Sequence, residues 1–167
     1  MSFFKPERYF SRLSDIDIQR DLLDCGFSRV LLDMDNTVVS RESHDCPSDI
    51  LCWLKAAQDA GVAVCLLSNN WHTSPFEWSE KLGLPVVAKA CKPLPHAFLI
   101  ARQLMGARST NAVVIGDQVS TDVVGAHNIG MKVYLVDPLS TVDLKHTLVL
   151  RKLEALLLGD MVPEHRS

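Results

Sequence analysis

Two aspartates one residue apart, Asp33 and Asp35 in the stretch LLDMDNT (31–37), follow directly on an apolar run. On an extended chain alternate side chains share a face, so the two carboxylates point the same way and repel unless something holds them. A bound cation would do so; a solvated turn, where Asp and Asn are common, is the other reading of the pair taken alone. Other apolar runs also end in polar groups: VAVCLL (62–67) in Ser68, Asn69 and Asn70, PVVAK (85–89) shortly before Lys92, and AVVIGD (112–117) in Asp117 with Asp122 close behind. Each has an ordinary explanation by itself, Ser68 as a helix cap, Lys92 as a solvated charge, Asp117 as a turn residue. Their arrival in order at successive strand ends weakens those explanations, because open parallel sheets bind ligands outside the carboxyl ends of their strands.

The elements that must position these groups are legible in outline. The runs RVLLDM (29–34), VAVCLL, PVVAK, AVVIGD and KVYLVD (132–137) lack strict alternation and read as strands covered on both faces. Between them, Pro47 to Gly61 and Pro95 to Gly106 carry helix punctuation, proline at the start and glycine at the stop. Further helices are expected at TSPFEWSEKLG, at about 120–129 and at about 145–158. Strand and helix alternating implies an α/β fold with a mostly parallel central sheet and helices on both faces. A chain of 167 residues suits one domain, divided here into an N-terminal extension (1–27), a core (28–140) and a C-terminal helix and tail (141–167).

Composition narrows the function. With 17 basic against 20 acidic side chains the chain has no broad basic surface, and no nucleic-acid partner is expected. Five cysteines, Cys25, Cys46, Cys52, Cys65 and Cys91, form no CxxC pair and suit reduced thiols of a cytoplasmic protein. No signal peptide is expected from the N-terminal stretch, and no 18-residue apolar run occurs.

The order DxDxT, then Ser, then Lys, then GDxxxTD resembles the haloacid-dehalogenase-like (HAD) superfamily of aspartate-nucleophile phosphatases, whose fold is Rossmann-like. More narrowly, LLDMDNT, LLSNN, KPL and VVIGDQVSTDVVGAHNIGMKVYLVDPL are similar to subclass IIIA, YqeG-type phosphatases, a group related to mitochondrial phosphatidylglycerophosphate phosphatase. The resemblance implies Asp33 as nucleophile, Asp35 as general acid and then general base, and Lys92 and Ser68 as groups that hold the transferring phosphoryl. It implies Mg²⁺ on Asp33, the Asp35 backbone carbonyl and Asp117, since two like charges at about 4 Å repel by roughly 4 kcal/mol even at an effective dielectric near 20. Asp122 would support the metal's surroundings or orient Lys92, and Thr37 would fix the loop. Asn36, Asn69 and Gln118 are expected to line the site.

Spacing bears on the substrate. The 35 positions from Asp33 to Ser68 and the 24 from Ser68 to Lys92 are filled by the elements already assigned, so no cap domain is expected. An open site suits a phosphate carried on something large, and a phospholipid head group such as phosphatidylglycerophosphate is the leading expectation, placing the chain in phospholipid metabolism. FFKPERYF with Arg12 joins aromatics to basic residues and could rest on an anionic bilayer at the inner face of the membrane, or pack back onto the domain. Relatives often carry arginine after the asparagines of SNN and in the stretch matching GAHNIGM; here His72 and His127 stand nearby and would partly replace them. The alternatives are a phosphatase of soluble sugar, nucleotide or protein phosphates and, outside enzymes, a binding or scaffold protein that keeps only the fold.

Overall fold

The computed structural model describes residues 3–140 and 157–165. Its strands are β1 (Arg8–Phe10), β2 (Arg29–Asp33), β3 (Ala63–Leu67), β4 (Val86–Val87), β5 (Ala112–Gly116) and β6 (Lys132–Val136). They form one six-stranded sheet in the order β1-β6-β5-β2-β3-β4. Every neighbouring pair is parallel. The chain builds outward from β2 to β4 and then returns to β5 on the other side of β2, so the topological switch lies beside β2. That is where an open parallel sheet forms its ligand crevice, and Asp33 is the last residue of β2.

The uninterrupted apolar runs are explained by two cores, one on each face of the sheet. Val30 and Leu32 pack with Ile50, Trp53 and Leu54 of α1 (Ser48–Asp59) and with Phe10, Leu13, Ile16 and Leu22 from the N-terminal segment. Leu31, on the opposite face, packs with Cys65 and Leu67, with Phe98 and Ala101 of α3 (Pro95–Leu104), and with Ala126 of α4 (Val124–Asn128). Helix α2 (Ser74–Leu82) ends on Gly83, whose left-handed φ of 63° reverses the chain toward β4. The β2-to-β3 and β3-to-β4 connections carry one α-helix each.

Three sequence expectations need correction. The N-terminal extension supplies a sixth strand, β1, beside β6. The strand expected over 85–89 shrinks to Val86–Val87, and beyond it Lys89 and Cys91 take left-handed φ values of 52° and 51° that break the regular ladder. The helix expected at about 120–129 is present, beginning as a π-helical turn, Val119–Val123, and running into α4. Asn36 does not line the site: its buried side chain is bonded to Ser140 instead. The last expected helix, at about 145–158, lies outside the described residues apart from its final two positions.

The basic and aromatic residues of the N-terminal segment are largely spent inside the fold. Phe10 is buried, the Tyr9 hydroxyl donates to Asp137, Arg8 pairs with Asp21 at 2.7 Å and with Glu164, and Arg12 pairs with Asp49 at 2.5 Å. Phe3 and Phe4 stay exposed. The five cysteines are free thiols, and burial pushes those of Cys46 and Cys65 up to about 11. Among the described residues no helix is long and apolar enough to cross a membrane.

Candidate active site

Four chain segments converge at the carboxyl end of the sheet. Asp33 closes β2, Ser68 follows β3, Lys92 sits in the loop after β4, and Asp117 follows β5, with Asp122 one π-helical turn on. All five side chains are buried. The Lys92 ammonium donates to Asp33 Oδ1 and, at 2.8 Å, to Asp122 Oδ1. Ser68 Oγ donates to Asp35 Oδ2 at 2.6 Å and accepts from the Asn70 amide at 3.0 Å. Sequence motifs separated by dozens of residues therefore meet at one end of the sheet, Ser68 bonded to Asp35 and Lys92 to Asp33 and Asp122.

Local structure explains why Asp122 can reach the group. A Cβ on Gly116 would collide with the Asp122 side chain, so the residue ahead of Asp117 has to be glycine for Asp122 to fold back. Asp122 Oδ2 also accepts from the Gln118 amide at 3.2 Å and from Thr121 Oγ1 at 3.3 Å. Both Asp122 oxygens are thus engaged by the protein. Asp33 differs: its Oδ2 is buried and accepts no hydrogen bond.

The electrostatics are unbalanced. Burial pushes the Asp33 carboxyl well above the usual carboxylate range; Lys92 opposes this, while Asp122, Asp117 and Asp35 add to it. Burial alone would depress Lys92, but Asp122 and Asp33 outweigh it and raise its pKa, so the lysine stays charged. Carboxylate oxygens of Asp33, Asp117 and Asp122 lie within 4.8 Å of one another. A cluster of buried acids facing one ammonium, with one carboxylate oxygen unpartnered, fits a small hard cation. The donors are all oxygen, with no soft ligand among the three.

Comparison with known proteins then places the chain. Residues 90–156 match the family model described as HAD-hydrolase-like. The protein named "Probable phosphatase YqeG" from Bacillus subtilis (strain 168) is 31% identical over 141 residues, covering 84% of this chain and 81% of that protein. This chain belongs to the HAD-like hydrolases. A Halopiger xanaduensis protein named ribulose-1,5-bisphosphate 5-phosphatase is 27% identical over 94 residues, covering 51% of this chain and 39% of that protein. Among solved structures, the cobalt-bound deoxy-D-mannose-octulosonate 8-phosphate phosphatase YrbI from Haemophilus influenzae superposes with a TM-score of 0.56 at 14% identity, covering 80% of this chain and 88% of that one. The shared fold is the content of that likeness.

Within the HAD-like frame, the residues expected at the site divide into two groups. Asp33, Asp35, Ser68, Lys92, Asp117 and Asp122 come together as described. Thr37 is buried with its hydroxyl unpartnered, and the loop after Asp35 is fastened instead by Asn36. Asn36 takes a left-handed φ of 71°, donates from Nδ2 to the Ser140 carbonyl at 3.0 Å, and accepts at Oδ1 from the Ser140 hydroxyl at 2.8 Å. Asparagine tolerates that backbone region better than other non-glycine residues, and its burial here pins the loop beside Asp35 to the chain beyond β6. His72 is exposed, and the His127 ring meets the Phe3 carbonyl at 2.6 Å and Glu7 at 3.6 Å, securing the N-terminal segment. Neither ring is bonded to Asp33, Asp35, Ser68, Lys92 or Asp122. Gly116 stands in the GDxxxTD motif without a role assigned from sequence, and its signal for one was its place directly before Asp117 and six residues before Asp122.

Proposed function

We propose that this HAD-family phosphatase hydrolyses phosphomonoesters through an aspartyl-phosphate on Asp33, with Mg²⁺ as its cofactor. The observation that carries the reading is the Asp33 carboxylate, held on one oxygen by Lys92 and left unpartnered on the other at the switch point of the sheet. A carboxylate oxygen of Asp33 attacks phosphorus; the new O–P bond forms as the bond from phosphorus to the ester oxygen breaks. Asp35 gives its proton to the departing alkoxide. As a carboxylate it then takes a proton from water, whose oxygen attacks the phosphorus of the acyl-phosphate and releases phosphate and the free Asp33 carboxylate. The Ser68 hydroxyl, which fixes Asp35 in the absence of substrate, holds a phosphoryl oxygen when substrate is present.

Asp33, the Asp35 backbone carbonyl and Asp117 would hold the Mg²⁺. Bound there, the ion supplies the positive charge that an anionic nucleophile needs against an anionic phosphate. Asp122, with both oxygens engaged, sets the direction of Lys92 instead. Lys92 offsets negative charge on Asp33 and on the transferring group.

The proposed substrate is a phospholipid head-group phosphate such as phosphatidylglycerophosphate, supported by connections too short for a cap over the site. A second reading, a soluble phosphomonoester, is favoured by the use of Tyr9, Phe10, Arg8 and Arg12 inside the fold, which removes most of the proposed bilayer contact. Two similar proteins are named as phosphatases of ribulose-1,5-bisphosphate and of deoxy-D-mannose-octulosonate 8-phosphate. Phosphate release by the pure protein with Mg²⁺ decides between them. Turnover of phosphatidylglycerophosphate in mixed micelles well above sugar, nucleotide and amino-acid phosphates supports the lipid; the reverse order supports the soluble ester.

A further inference from the structure

We infer that Asn69 is a positioning residue for Lys92, an inference that rests on the phosphatase reading above. Asn69 Oδ1 accepts from the Lys92 amide at 2.7 Å, and Asn69 Nδ2 donates to the Lys92 carbonyl at 3.2 Å. One side-chain amide therefore pairs both backbone groups of the residue that carries the buried ammonium.

The reason lies in how β4 ends. Pairing from β3 to β4 continues through the Ser68 amide to the Val87 carbonyl at 3.1 Å and the Ala90 amide to the Ser68 carbonyl at 2.9 Å. Left-handed Cys91 then turns the chain off the ladder before Lys92 is reached. An asparagine side chain presents a donor and an acceptor as a peptide does, so Asn69 replaces the missing rung. A lysine stem has considerable rotamer freedom, and fixing its backbone narrows where the ammonium can lie between Asp33 and Asp122. The neighbouring asparagine does something else: Asn70 Oδ1 accepts from the His72 amide at 2.8 Å and closes its own turn. Adjacent residues thus hold two different groups, Ser68 the Asp35 carboxylate and Asn69 the Lys92 backbone.

The test is a double-mutant cycle on orthophosphate affinity, measured by calorimetry with Mg²⁺ present, alongside steady-state kinetics. Asn69→Ala is expected to weaken orthophosphate binding about tenfold in the wild-type background and to change it less than about twofold in a Lys92→Met background. In turnover it lowers kcat/KM by about ten- to a hundredfold, with the loss shared between kcat and KM. Asn69→Ser, which leaves a hydroxyl near the same peptide, takes its place if the alanine variant does not fold. Equal weakening in both backgrounds, or none in the wild type, overturns the role of Asn69 while leaving the phosphatase reading intact. A wild-type protein that neither binds orthophosphate nor hydrolyses any phosphomonoester overturns both.

Discussion

The Asp122 carboxyl occupies the space that a side chain on Gly116 would fill. Because that carboxylate also accepts from Lys92 at 2.8 Å, the smallest side-chain addition at Gly116 disturbs the lysine. Gly116→Ala is expected to push Asp122 aside and lower phosphatase activity at least about a hundredfold, as a misplaced catalytic group does. Circular dichroism should remain native. Activity within about threefold of wild type would show that Lys92 does not need Asp122.

Asp33→Asn removes the nucleophile and one of the crowded buried charges together. Turnover is expected to fall by about a thousandfold or more, while metal-free thermal stability holds or rises because repulsion from Asp122, Asp117 and Asp35 is relieved. Melting curves and phosphate release on the same preparation check both halves. A large fall in melting temperature would mean that the Lys92 bond to Asp33 outweighs that repulsion.

The same crowding predicts that metal stabilises the fold. Mg²⁺ at about a hundred times its dissociation constant contributes about 2.7 kcal/mol, a rise of roughly 5–10 °C in Tm for a chain of this size. EDTA should reverse the rise and stop turnover, and Asp117→Asn should blunt both effects. An unchanged Tm at millimolar Mg²⁺ would contradict a cation site at these acids.

Acid stability turns in part on Asp21, away from the site. Burial raises its pKa, but hydrogen bonds from Arg20, Arg8 and the Asp17 amide outweigh burial and leave the carboxyl at about 2 against 3.8 ordinarily. A carboxyl depressed in the folded state stabilises above its unfolded pKa, and that contribution is lost as pH falls through the folded value. Asp21 should contribute about 2 kcal/mol above pH 4 that fades toward pH 2. The gap in unfolding free energy between wild type and Asp21→Asn should therefore close over that range, and a gap independent of pH would remove the ion pairs as its cause.

How far the sequence could be read follows from where each residue's partners lie. The runs of β2, β5 and β6 are buried on both faces and announce themselves as continuous apolar stretches. Arg8–Phe10 does not, because three residues mixing charge and aromatics join the sheet only through β6, far along the chain. The acids and Lys92 were legible by type and order at strand ends. Asn36 and Asn69 were legible as polar loop residues and no more, since their partners stand 104 and 23 positions away and the information is in the fold.

The aspartyl-phosphate on Asp33 is the central claim, and trapping it is the most direct test. Asp35→Asn should form the acyl-phosphate from an aryl phosphate, whose leaving group needs little protonation, and break it down slowly. Acid quench and peptide mass spectrometry should then find one phosphoryl group on the peptide holding Asp33, absent when Asp33 is also changed to Asn. Burst-free turnover with no labelled peptide, or an Asp33→Asn enzyme retaining a tenth or more of wild-type activity, would contradict the account.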